Sequence, residues 1–233
     1  MPPVIFILAA GHQDRMTGRL DYPKGFLRVG GDGESIVART VRLARACGAA
    51  EILLVVSSIS SSVVTSAAYL RLGITHVIPP EDDCARVSVL DRVRGLLDGW
   101  RGSEPDPFVF LLGDVVYSAA TLARVLATTR LALVGRRGPN PVTGKASGEV
   151  YALVVPARAV PAAVNLIDLM RLLSPPPPVP KLWDLAAALG TPHFLAVPED
   201  DFTDDVDTEW DLQNVLPRLR EAVCDEERQK DHP

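Results

Sequence analysis

Cysteine is scarce in this 233-residue chain: Cys47, Cys84 and Cys224 are odd in number and far apart. Such usage excludes a disulfide framework and a zinc-ligand spacing, and it implies a reducing cytoplasm. Long hydrophobic runs are missing as well, none approaching the roughly 20 residues of a membrane span. No positive region precedes the short apolar stretch at the N-terminus, so no signal peptide is expected. Basic residues are in deficit, with 24 Lys and Arg against 29 Asp and Glu. The resulting net charge of −5 argues against a protein that lives on a nucleic-acid backbone. No internal repeat is evident. Neither G-x-G-x-x-G nor a Walker loop occurs at the first strand end, which sets aside dinucleotide-dependent dehydrogenases and P-loop NTPases.

What is present is ordinary globular usage, 47% apolar and 23% charged. Continuous rather than alternating apolar runs at 4–9, 52–56, 108–112, 131–134 and 150–155 suit strands buried on both faces, as parallel sheets require. Residues 75–78 and 194–197 look like shorter companions. Amphipathic stretches lie between them. Ser35 is placed to cap a helix running to Cys47, with Gly48 as its stop signal. Ser118 is placed to cap another, with Leu122, Val125 and Leu126 on one face. The reading is a single-domain α/β protein with a Rossmann-like, open, mixed but mostly parallel sheet flanked by helices. Its site is expected at the carboxyl ends of strands. The domain is expected over 1–220, followed by a charged, frayed tail over 221–233. Residues 135–148, with glycines, prolines and the basic Arg136, Arg137 and Lys145, read as a lid or arm. Prolines 175–178 read as a spacer that ends any helix near Leu173.

Three blocks carry chemistry. The first joins Leu8-Ala9-Ala10-Gly11 to Arg15 and Lys24. Small residues let backbone amides approach a phosphate chain, with Arg as a bidentate fork and Lys as a point charge beside it. His12 in the same loop is read as incidental. The second is the apolar run 108–112 followed by Gly113-Asp114, which brings an oxygen ligand suited to Mg²⁺ to a strand's carboxyl end. The third is Asp207-Thr208-Glu209-Trp210-Asp211-Leu212, with Thr208 as an N-cap and Asp211 in the first helical turn. Trp210, Val215, Leu216 and Leu219 are expected to bury one face of that helix. Asp204, Asp205 and Asp211 are read as an acidic helix start.

L-A-A-G, then R-M and P-K-x-x-L, then G-D, then D-T-x-x-D-L, in that order over most of the chain, resembles the nucleotidyltransferases of the GT-A-like fold. That superfamily includes sugar-1-phosphate nucleotidyltransferases, cytidylyltransferases of isoprenoid and lipopolysaccharide synthesis, and the molybdopterin guanylyltransferase group. The chain departs from the family at Gln13, where a second glycine is usual. The resemblance implies Mg²⁺ held by Asp114 and Asp207, with Arg15 and Lys24 completing the catalytic set. It implies nucleotide contacts from Leu8, Ala9, Ala10, Gly11, Arg15, Lys24 and Gly113. Arg86-Val87-Ser88-Val89 is similar to an R-x-x-S-V segment, which adds Ser88 as a nucleotide contact; Ser88 is equally placed as a helix N-cap. Gly148-Glu149-Val150-Tyr151-Ala152 resembles a strand entry carrying an acceptor-binding glutamate, so Glu149 and the nearby Lys145 are the acceptor-site candidates.

The implied reaction is transfer of a nucleoside monophosphate from an NTP to a phosphorylated acceptor such as a sugar or alditol phosphate, releasing pyrophosphate. The implied partners are these two small molecules, with neither nucleic acid nor membrane. An arm exchanged across a homodimer is the alternative to a lid at 135–148. Two other functions compete. A glycosyltransferase of the same fold commonly carries D-x-D at the end of a middle strand, where this chain reads Gly113-Asp114-Val115. A non-catalytic nucleotide-binding protein is favoured by Gln13 alone. The base and the acceptor stay open.

Overall fold

The structure, a computed structural model, describes residues 2–9, 24–29, 33–56, 72–77, 88–100, 107–140, 144–145, 148–173 and 181–231, the last ten as backbone alone. Among the described residues, seven strands form one sheet: β1 (Val4–Leu8), β2 (Glu51–Val55), β3 (Thr75–Val77), β4 (Phe108–Leu112), β6 (Ala132–Arg136), β7 (Glu149–Val155) and β8 (Phe194–Ala196). Their order is β3-β2-β1-β4-β7-β6-β8. Among these strands, the β4–β7 and β6–β7 pairs are antiparallel and the others parallel, so β7 runs against the rest. The mixed, mostly parallel sheet is the one expected from the apolar runs. All seven of those runs are strands.

Burial on both faces explains why the runs do not alternate. Ile5 and Ile7 of β1 join one apolar cluster with Val37 and Val41 of α1 (Ile36–Ala46) and Leu122 and Val125 of α3 (Ala119–Leu126). Val4 and Phe6 join the other, with Leu90 and Val93 of α2 (Val89–Gly99), Ile167 of α4 (Val160–Leu173) and Leu185 of α5 (Leu182–Leu189). Each such wholly buried side chain contributes about 1.5–3 kcal/mol of transfer free energy. The expected caps are in place. Ser35 accepts from the Ala38 amide, and Ser118 from that of Thr121.

The edge that matters is built by register. Leu8 stands level with Val55 and Leu112, so β1, β2 and β4 end together. Beyond them, Ala9 donates to the Val55 carbonyl and Gly113 to the Leu8 carbonyl. A short ribbon then forms where none was expected: β5 (Val115–Val116) pairs antiparallel with β9 (Asp204–Asp205). It leads into α6 (Glu209–Asp231), which packs Val215 and Leu219 against Val116, Val206 and Leu27.

Three expectations need correction. Asp204 and Asp205 are not a helix start but the paired strand β9, because an extended segment there completes the hydrogen bonding of β5. Trp210 is 65% exposed, since α6 turns Val215 and Leu219 inward instead. The backbone stays helical to Asp231, past the Glu221 at which fraying was expected. Among the described residues, no helix is long and apolar enough to cross a membrane.

Candidate active site

The site grows from the end of β4. Gly113 stands so close to β1 that a Cβ would lie 2.9 Å from the Ala9 Cα and the Leu8 carbonyl oxygen, so a side chain there would push the two strand ends apart. Asp114 follows at the sheet edge. Its carbonyl accepts from the Val206 amide at 2.9 Å, which extends the β5–β9 ribbon by one bond and draws residues 205–207 alongside. Alternation on an extended chain then sets Asp205 and Asp207 on one side of it.

A helix cap places Asp207. The Asp211 carboxylate accepts from the Asp207 and Thr208 amides at 3.0 and 2.8 Å, while the Asp211 amide donates to the Thr208 hydroxyl at 3.2 Å. This reciprocal arrangement is why D-T-x-x-D makes a compact turn: it satisfies amides that the first helical turn leaves without partners. Glu149 arrives from the opposite side at the start of β7. There Gly135, at a bulge in β6, passes so near that a Cβ would lie 2.1 Å from the Glu149 carbonyl oxygen. Carboxylate oxygens of Glu149, Asp205 and Asp207 all lie within 4.8 Å of one another.

Two lysines face these acids. Lys24, in a one-turn 3-10 helix (Lys24–Phe26), is buried and donates to Asp207 Oδ1 at 2.5 Å. Lys145 donates to Asp205 Oδ1 at 2.6 Å and to the Asp205 carbonyl at 3.0 Å, and lies 3.8 Å from Asp207 and 3.6 Å from Asp211. Asp114 is half-buried near Lys24 and Asp207, and loss of hydration raises its carboxyl above the usual range against the opposing pull of Lys24. Asp205 is pushed up to about 8, foremost by burial and further by Glu149 and Asp207, with Lys145 opposing. Burial disfavours the Lys145 charge, yet Asp205, Asp204 and Asp207 together raise its pKa.

Behind the acids, a buried network fixes β9. The Tyr117 hydroxyl donates to the Tyr151 carbonyl at 2.5 Å, and the Tyr151 hydroxyl to Asp204 Oδ1 at 3.2 Å. Burial raises the pKa of both phenols, keeping them neutral donors. Arg136 is buried and donates to the carbonyls of Pro198 and Asp201, whereas Arg137 bonds Thr191 and stacks on Phe194. Arg136 is thus a buried strand residue, while Arg137 remains exposed.

Of the residues singled out from sequence, the structure brings Lys24, Gly113, Asp114, Lys145, Glu149 and Asp207 to one place, beside Leu8 and Ala9. Ser88 is an N-cap: it accepts from the Asp91 amide and donates to the Asp91 carboxylate. Ala10, Gly11, His12, Gln13, Arg15, Arg86 and prolines 175–178 lie outside the described residues. Asp205 is the acid that sequence reasoning passed over. Its spacing of two from Asp207 was the available signal.

A sheet of this order, with lysines and carboxylates gathered at its carboxyl edge, defines an α/β nucleotidyltransferase fold. The chain belongs to the family of the MobA-like NTP transferase domain, which matches residues 5–172. Solved structures share the fold across nearly the whole chain. A putative glucose-1-phosphate thymidylyltransferase from Bacillus anthracis is 14% identical with a TM-score of 0.66, covering 94% of this chain and 95% of that one. CTP:phosphocholine cytidylyltransferase from Streptococcus pneumoniae is also 14% identical at 0.66, covering 94% and 100%. Rv0371c from Mycobacterium tuberculosis is 20% identical at 0.62, covering 93% and 97%. No curated protein matches the chain by sequence.

Proposed function

We propose that this protein transfers a nucleoside monophosphate from an NTP to a phosphorylated small-molecule acceptor, releasing pyrophosphate. The observation that carries this reading is the convergence of Lys24 with Glu149, Asp205 and Asp207 beside Asp114 at the edge where β1 ends. The donor set is all oxygen and carboxylate-rich, which fits a hard divalent ion such as Mg²⁺. Glu149, Asp205 and Asp207 would hold it with Asp114 adjoining, a wider set than the Asp114–Asp207 pair suggested by sequence. When bound, such an ion supplies charge neutralisation for phosphate oxygens.

The chain's own residues would do the rest. An oxygen of the acceptor phosphate attacks the α-phosphorus of the NTP; the new P–O bond forms as the α–β bridge breaks, and pyrophosphate leaves with that electron pair. The nucleophile is already anionic, so no general base is needed, and the protein's part is positioning and charge stabilisation. Lys24 would offset charge gathering at the α-phosphate, and Arg15 would hold the departing pyrophosphate. Gly113 and residues 8–11 would admit the nucleotide close to the backbone, and Glu149 and Lys145 would meet the acceptor. The net charge of −5 and scarce cysteine accord with work in the cytoplasm.

The test is pyrophosphate release from each of the four NTPs, with and without pooled phosphorylated metabolites, in Mg²⁺ and in EDTA. Acceptor-dependent, Mg²⁺-dependent release is expected, with the product identified by mass spectrometry. No release from any combination would overturn the reading.

A further inference from the structure

Lys145 stands where a bound cation is expected to act. Its ammonium bonds Asp205 at 2.6 Å and lies within 4 Å of both Asp207 and Asp211. Two of those three carboxylates belong to the group of oxygens able to enclose a metal ion. Asp204, wholly buried behind them, adds to the field that holds the ammonium charged. Lys145 is not placed there by a helix or strand. It follows Gly144, whose φ is +72°, in a loop closed by two backbone bonds: the Gly144 amide to the Asn140 carbonyl, and the Asn140 amide to the Lys145 carbonyl, both 2.8 Å. The backbone is thereby anchored while the long, flexible side chain keeps alternative rotamers open.

We infer that Lys145 is a resident counter-cation of the carboxylate centre, which competes with the divalent metal and is expelled from Asp205 when the metal enters. This inference rests on the metal reading above. An ammonium and a divalent ion sharing Asp205 would repel each other strongly at such separations in a partly buried site. Without metal, Lys145 keeps the clustered acids from driving one another apart. With metal, its ammonium is released from Asp205, and an anionic acceptor can engage it. The metal site and the acceptor contact are therefore one switch.

The experiment is direct titration of Mn²⁺, followed by electron paramagnetic resonance, into the nucleotide-free protein and its Lys145→Met, Lys145→Arg and Asp205→Asn variants. Lys145→Met should bind Mn²⁺ about tenfold more tightly or better, because a like charge beside the ion is gone. Lys145→Arg, which keeps the charge, should stay near the parent, and Asp205→Asn should bind weakly. Equal or weaker binding by Lys145→Met would overturn the inference and make the lysine a structural tie. No Mn²⁺ binding by the parent or any variant would instead overturn the underlying metal reading. A second readout needs no substitution: acylation of the Lys145 amine, quantified by mass spectrometry, should quicken several-fold in saturating Mg²⁺, because the ammonium loses the carboxylates that favour its charged form. An unchanged rate in protein shown to bind metal would count against expulsion.

Discussion

Lys24 and Asp207, 183 positions apart in sequence, meet at 2.5 Å between ammonium and carboxylate. Both side chains are largely withdrawn from solvent, at 9% and 18% exposure, so each would be costly to leave alone. The pair ties the loop after β1 to the turn before α6 and aligns a cation with the carboxylate group. It also explains why the first and third sequence blocks belong to a single site.

Asparagine substitutions test the acids. Asp207→Asn and Asp205→Asn should each lower turnover by about 10²–10³-fold while leaving the fold intact, the usual cost of losing preorganised charge stabilisation. Asp114→Asn should do the same. Circular dichroism establishes folding, and pyrophosphate release reports the rate. A folded Asp205→Asn protein with near-normal turnover would return that residue to a purely structural role.

Lys24→Ala should depress kcat more than it weakens nucleotide binding, because its charge matters most as the α-phosphate becomes crowded. A change confined to KM would reassign Lys24 to ground-state binding. Measuring both constants over a range of NTP concentration separates the outcomes.

The cap at the start of α6 should couple stability to activity. Asp211→Ala removes the acceptor for the Asp207 and Thr208 amides. A loss of about 1–3 kcal/mol in urea unfolding is expected, since buried donors are left unsatisfied. Turnover should fall as well, because Asp207 loses its anchor. Asp211→Asn, which keeps an acceptor oxygen, should be milder in both respects. Full activity in a destabilised Asp211→Ala protein would show that the cap does not position Asp207.

Acidity supplies a further check. Burial pushes the Asp205 carboxyl above its ordinary value near 4 in the metal-free fold, against the pull of Lys145, so the native state holds a proton to higher pH than the unfolded chain does. Stability contributed at this residue is therefore present at low pH and lost as pH rises from about 4 to about 8. The thermal midpoint of the parent should fall relative to that of Asp205→Asn over this window. Mg²⁺ should reduce the fall, because a bound cation displaces the proton. Parallel curves for the two proteins would refute the assignment.

Local patterns were enough to reveal much of this molecule. Unbroken apolar runs marked the five inner strands β1, β2, β4, β6 and β7, because a strand buried on both faces has no solvent side to encode, and shorter runs marked the edge strands β3 and β8. Ser35, Ser118 and Thr208 marked helix starts, because a cap is a contact within four residues. The placing of Lys24, Gly113, Asp114 and Asp207 at strand and helix ends followed from the same short-range rules, and family resemblance joined them into one site. What tertiary structure alone decided was the company those residues keep. Asp205 reads as one more acid in an acidic stretch until β9 pairs with β5 and turns it toward Asp207 and Glu149. Lys145 and Arg136 read as charges of one basic loop, yet one meets the carboxylate centre and the other buries itself against carbonyls of the segment before β9. Trp210 reads as core and lies outside, since the rotation of α6 is set by Val215 and Leu219 against Leu27 and Val116. In each case the deciding contact spans many tens of residues, and its partner is chosen by strand pairing and packing across the whole fold.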